Sequence, residues 1–209
     1  MFEAVIFDFG GVITESPFEA FNRLEAERQI PTDTVRRINA TNPHDNAWAR
    51  FERSEIDPGE FDLAFAAEAK SLGVTLQGRD VLACLQGAVR PSMLEALRKI
   101  SERFKTGCIT NNVKSASAQS TWRNPDVDSA MSLFHHVIES SKVGIRKPDP
   151  RIYKMMLTQL AVDPNRSIYL DDLGINLKPA RDLGMTTIKV GAAEPAIDTL
   201  EGLLKMHLR

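Results

Sequence analysis

The chain has 209 residues, 43% of them hydrophobic, and its 26 basic and 28 acidic side chains leave a formal net charge of −2. That is enough apolar material for one large domain or a core with a smaller companion, and the acidic balance argues against nucleic-acid or anionic-membrane partners, which select a basic excess. Cys84 and Cys108 lie far apart with no metal-type spacing, no apolar run approaches the roughly 18 residues that span a bilayer, and the first residues carry no basic or long apolar leader, so a cytoplasmic protein with free thiols is expected.

The chain opens MFEAVIFDFGGVITESP. Its apolar run, Ala4 to Phe7, reads as a buried strand that ends at an acid, Asp8, with Gly10 and Gly11 close behind. From about Glu15 to Ala88 the pattern is helical throughout. Phe61, Ala64, Phe65, Ala69 and Leu72 recur at helical spacing, and Pro31, Pro43, Pro58, Gly73 and Gly78 punctuate the stretch. Trp48, Phe51, Phe61 and Phe65 are expected to pack within it. Arg50 and Arg53, one turn apart beside Glu52 and Glu55, are expected to form a solvated face.

Beyond Val89 strands and helices alternate. A helix is predicted over Pro91–Arg103, then a strand over Lys105–Thr110, a helix over Val113–Trp122 and a loop over Arg123–Asp126. A strand follows at His135–Ser140, where the adjacent histidines face opposite ways. Asp149 and Pro150 mark a helix start, an acceptor at the cap and proline in the first turn, for a helix to Leu160. A strand at Ser167–Asp172, a helix at Asn176–Leu183 and a strand at Thr186–Val190 complete the pattern. GLLKMHLR reads as the amphipathic end of a last helix. The alternation predicts an α/β fold, a parallel sheet with helices on both faces. That core is split into residues 1–14 and 89–209 by an all-helical insertion at 15–88.

In such a sheet ligands bind beyond the carboxyl ends of the strands. The first strand ends in Asp8. The second ends in Thr110, followed by Asn111 and Asn112. Lys147 follows the third, and the fourth ends in Asp171 and Asp172. Each has an ordinary reading: an acid capping a turn or helix, a β-branched strand residue, a solvated lysine. Together they are the parts that phosphoryl transfer requires. A carboxylate can attack phosphorus, a divalent cation such as Mg²⁺ offsets the charge repulsion, and a lysine and N–H donors hold the other oxygens. Glycines let the backbone approach the phosphate.

FDFGGV, ITNN, GIRKPDPRIY and YLDDLGINLKPARDLGM, in that order, resemble the four motifs of the haloacid dehalogenase-like hydrolase superfamily. Within it, IESSKVGIRKPDPRIYK and LDDLGINLKPARDLGM are similar to the N-terminal phosphatase domain of soluble epoxide hydrolases, and FDFGGVI to the related domain of an acyl-CoA dehydrogenase-linked protein. The resemblance implies a Rossmann-like core with the insertion as a cap domain. It implies Mg²⁺ as cofactor and a small phosphorylated substrate. Asp8 would be the nucleophile and a metal ligand. Thr110 and the N–H of Asn111 would hold the phosphoryl group, and Lys147 would steady the transferring charge. Asp172 and the carbonyl of Gly10 would also ligate the metal. Asp171 would stand behind them or serve as an alternative ligand, and Asn176 would orient the acidic pair.

Most phosphatases of that superfamily carry Asp where this chain has Gly10. Three readings follow. The first is a Mg²⁺-dependent phosphatase for substrates with good leaving groups. The second is a metal-independent 2-haloacid dehalogenase. The third is a weakened Mg²⁺- and phosphate-binding regulatory module.

Overall fold

The computed structural model describes residues 1–85, 87–111 and 125–209. Five strands form one sheet: β1 (Ala4–Phe7), β2 (Lys105–Thr110), β3 (His136–Glu139), β4 (Ser167–Asp171) and β5 (Thr186–Lys189). Their order is β3-β2-β1-β4-β5 and every pairing is parallel. The chain runs outward from β1 in both directions, so the reversal of strand order falls at β1, beside Asp8.

Alternate residues of the strands feed two cores. Val5 and Phe7 face the side covered by α6 (Pro91–Ser101) and α11 (Ala193–Leu204). Ala4 and Ile6 face the side covered by α9 (Pro150–Leu160) and α10 (Gly174–Asp182). Burial on both faces explains why the central β1 reads as a continuous apolar run, and β4 as one up to its closing acid. The start of α9 follows its sequence signal, with Asp149 accepting from the Arg151 N–H and Pro150 in the first turn.

The segment after β1 is helical: α1 (Pro17–Glu27), α2 (Thr34–Ala40), α3 (Ala47–Glu52), α4 (Pro58–Ser71) and α5 (Gly78–Ala83). It gathers its own cluster, with Phe21, Phe51, Phe61 and Phe65 buried and Trp48 packed against them. Leu72 departs from the expected stripe: α4 ends at Ser71 and Leu72 is exposed. The two ends of this helical segment lie side by side. Thr14 and Val89 form an antiparallel bridge, flanked by bonds from Glu15 N–H to the Ala88 carbonyl (2.9 Å) and from Arg90 N–H to the Ile13 carbonyl (2.8 Å).

Element ends shift by a residue or two. β3 starts at His136: the His135 N–H still donates to the Thr106 carbonyl at 2.9 Å, while the His135 ring accepts the Thr106 N–H at 3.0 Å in place of a strand carbonyl. It stops at Glu139, where a short turn of helix, α8 (Ser140–Val143), begins and Gly144 closes it in a left-handed conformation. Pro125 and Asp126, expected in a loop, instead open α7 (Pro125–Ser132), with proline again at a helix start. The expected helix at Val113–Trp122, and Asn112, Arg123 and Asn124, lie outside the described residues. No helix among the described residues is long and apolar enough to cross a membrane.

Candidate active site

Asp8 directly follows β1, and its N–H continues the ladder to the Leu170 carbonyl. It is buried, and its Oδ1 accepts from the Phe9 N–H at 2.6 Å. The same oxygen lies 2.7 Å from the Nζ of Lys147, which is 1% exposed and also reaches Asp171 Oδ2 at 2.9 Å. Lys147 comes from the loop between α8 and α9. Its backbone is gripped on both sides by Asn111: the Lys147 N–H donates to Asn111 Oδ1 (2.8 Å), and Asn111 Nδ2 donates to the Lys147 carbonyl (3.1 Å). Thr110, at the end of β2, is buried beside them.

Asp171 ends β4 and is fully buried. Besides Lys147 it accepts from the Leu173 N–H (2.8 Å), from Asn176 Nδ2 (3.1 and 3.2 Å) and from the Tyr169 hydroxyl. A carboxylate has about four acceptor positions, so these donors fill it. Asn176 lies in the first turn of α10, and its carbonyl accepts from the Tyr153 hydroxyl at 2.7 Å. The Tyr153 and Tyr169 rings meet edge to face, 5.3 Å between centroids. Asp172 is served more sparsely. Its side-chain partner is the Ser16 hydroxyl, at 3.4 Å.

The structure thus brings Asp8, Asp171 and Asp172 together, each offering an oxygen within 4.8 Å of the others. Three carboxylates face one ammonium. Burial, with Asp171 adding to it, pushes the Asp8 carboxyl well above its ordinary range against the pull of Lys147. Burial also works against the Lys147 ammonium, but Asp171 and Asp8 outweigh it and hold the lysine charged. Burial and Asp171 push Asp172 up to about 6. A group of hard oxygens with surplus negative charge fits a divalent cation.

The two glycines differ. Gly11 has φ +76°, and a Cβ there would fall 2.3 Å from Asp172 Oδ2, so both backbone and packing require glycine. Gly10 is exposed, and a Cβ there would meet nothing within 4 Å.

Some participants carry no sequence signal of their own. Tyr169 could be found only by period: it stands two residues before Asp171 on one strand, hence on the same face. Ser16 reads as nothing more than a helix cap. Glu52 departs from expectation. It is buried, not solvated, accepts from Trp48 Nε1 (2.9 Å), and pairs with Arg146, next to Lys147. Arg53 holds Glu55 and the His44 carbonyl.

Known proteins match this chain in sequence and in fold. The chain is 34% identical over 213 residues to mouse acyl-CoA dehydrogenase family member 10, covering 99% of this chain and 20% of that protein. It is 32% identical over 218 residues to pig bifunctional epoxide hydrolase 2, covering 98% of this chain and 39% of that protein. The chain therefore spans well under half the length of these relatives. A HAD-family enzyme of Bacteroides thetaiotaomicron, solved with magnesium and inorganic phosphate, shares the fold: TM-score 0.61 at 21% identity, over 93% of this chain and 96% of that one. Residues 2–184 match the model of the haloacid dehalogenase-like hydrolases. With a parallel sheet that sets three acids and a buried lysine at its carboxyl edge, the chain belongs to the haloacid dehalogenase-like hydrolases.

Proposed function

We propose that the chain is a Mg²⁺-dependent phosphatase that hydrolyses a small phosphorylated metabolite through an aspartyl-phosphate at Asp8. The observation that carries this reading is the acid cluster, three carboxylates against one ammonium. A site that attacks carbon has no need of surplus acids, so the cluster weighs against a metal-independent dehalogenase.

In the proposed reaction an Asp8 oxygen attacks phosphorus and the bond from phosphorus to the leaving oxygen breaks. Water then displaces the phosphoryl group, giving inorganic phosphate and free Asp8. Lys147 favours the ionised form of Asp8 against its burial and aims it. The Thr110 hydroxyl and the Asn111 N–H hold phosphoryl oxygens. Asp8, Asp172 and the Gly10 carbonyl would hold Mg²⁺, which offsets the repulsion between nucleophile and phosphate. Asp171, with its acceptor positions already filled, acts from behind them by fixing Lys147. Residues 15–88 act as a cap over the crevice of a core formed by 1–14 and 89–209, excluding water when closed.

Gly10 supplies no proton to the leaving group, a contribution elsewhere worth roughly a hundred- to ten-thousand-fold. This favours acyl, aryl and sugar 1-phosphates, whose leaving groups need little protonation. The same glycine favours a second reading, a Mg²⁺- and phosphate-binding module with little turnover.

Phosphate release from p-nitrophenyl phosphate and acetyl phosphate, with Mg²⁺ or with EDTA, separates the readings. Turnover that requires both Mg²⁺ and Asp8, absent in Asp8→Asn, supports the phosphatase. Binding of Mg²⁺ and phosphate without turnover supports the second reading. Halide release from a 2-haloacid in EDTA overturns both.

A further inference from the structure

Helix α3 is fastened to the segment that carries Lys147. The Arg146 Nε lies 2.6 Å from Glu52 Oε2 as an ion pair, though off the hydrogen-bonding direction. The Arg146 Nη1 donates to the Pro43 carbonyl at 2.9 Å. The Ser140 hydroxyl donates to the Glu52 carbonyl at 2.7 Å, and the Ser54 hydroxyl to the Ser141 carbonyl at 3.1 Å. Four contacts thus join residues 43–54 of the helical insertion to residues 140–146. Further ties among the described residues are the Thr14–Val89 ribbon and the bond from the Ser16 hydroxyl to Asp172 at 3.4 Å.

The position of Arg146 gives these contacts a reach beyond packing. Its side chain goes to the insertion, and the next side chain, Lys147, goes to Asp8 and Asp171. The peptide between them is held at its N–H by Asn111 Oδ1, and the following peptide at its carbonyl by Asn111 Nδ2. A shift of α3 away from the sheet therefore pulls on one end of a peptide whose other end sets the lysine. Burial of Glu52 pushes its carboxyl above the ordinary range, with Arg146 and Trp48 only partly offsetting this. A buried pair that is costly to ionise is poor support for stability as its purpose.

We infer that Glu52 is a positioning residue of this site: by holding Arg146 it keeps Lys147 against Asp8 only while α3 is seated on the core. Its kinetic consequence rests on the phosphatase reading; its structural consequence does not.

Two measurements test it. The first is amide hydrogen exchange on the full wild-type chain. The amides of α3 and of residues 144–149 should share one opening equilibrium and loosen together in Glu52→Gln. Opening constants differing by more than about ten-fold in the wild type, where sub-global units open separately, overturn the coupling. So does a 144–149 loop unchanged in Glu52→Gln. The second is steady-state phosphate release from p-nitrophenyl phosphate at saturating Mg²⁺. Glu52→Gln should lose about ten- to a hundred-fold in kcat with KM little changed, the effect of a displaced catalytic group, and Glu52→Asp should recover most of it. An unchanged kcat, or a loss that Glu52→Asp does not restore, overturns the positioning role. If the wild type shows no turnover, the phosphatase reading fails by itself and the exchange experiment still decides the coupling.

Discussion

The carboxylate of Asp172 occupies the space that a side chain at Gly11 would need, with Oδ2 only 2.3 Å from where a Cβ would stand. The first strand's turn and the fourth strand's acid are therefore fitted to each other. Gly11→Ala should displace Asp172 and strain a backbone at φ +76°. Its Mg²⁺ affinity, measured by calorimetry, should fall about ten- to a hundred-fold, the scale of lost ligand support. Gly10→Ala should leave affinity and thermal midpoint unchanged.

Mg²⁺ itself should stabilise the native chain. At a hundred times its dissociation constant the gain is about 2.7 kcal/mol, read as a rise in thermal midpoint that EDTA reverses. Asp172→Asn should abolish the rise.

Gly10→Asp should convert the substrate profile. The new carboxyl enters open space, so the fold tolerates it. Turnover of an alkyl phosphate monoester should rise by about a hundred-fold or more, the value of a placed general acid. Turnover of acetyl phosphate, with a leaving group that needs no proton, should change little. Equal effects on both would refute the link between Gly10 and leaving-group choice.

Lys147→Met leaves Asp8 and Asp171 buried without their ammonium. Removal of one partner from a buried ionic group costs about 3–5 kcal/mol, so denaturant unfolding at neutral pH should show a loss of that order. The deficit should shrink on acidification, because Asp8 then takes up the proton that burial already favours.

Glu52 gives a pH signature. Its folded carboxyl sits above the ordinary value of 4.5 because of burial. The native state thus holds this proton more tightly than the unfolded chain does. The contribution to stability is present below about pH 4.5 and is withdrawn as pH rises through the folded value. Relative to its value near pH 4, the difference in unfolding free energy should move in favour of Glu52→Gln by pH 7, whatever local loosening of α3 the variant shows. A difference that moves against the variant would show that Arg146 more than offsets the burial of Glu52.

The parts of the site that follow from period and strand order are legible in the sequence. Asp8, Thr110, Asp171 and Asp172 sit where short apolar runs end, and a parallel sheet puts such ends on one edge. Asp149–Pro150 marks the helix after Lys147 because its capping is local. What the sequence hides is set by tertiary contact. Glu52 lies in ARFERSE, a charged run that reads as solvated until α3 meets α8. The Asn111 side chain could serve substrate, and only the fold shows it clamping the Lys147 backbone. The start of β3 slips by one residue because a side chain, His135, takes a backbone donor that strand pairing would otherwise claim.

The Thr14–Val89 ribbon has an evolutionary consequence. The helical segment begins and ends at neighbouring residues joined by backbone hydrogen bonds. Whatever lies between them can lengthen, shrink or be exchanged without moving β1 against β2, whose register from Ala4 and Lys105 is set elsewhere. On the proposed reading substrate choice lies in that helical segment, which is thereby free to diverge wherever it does not touch residues 140–146.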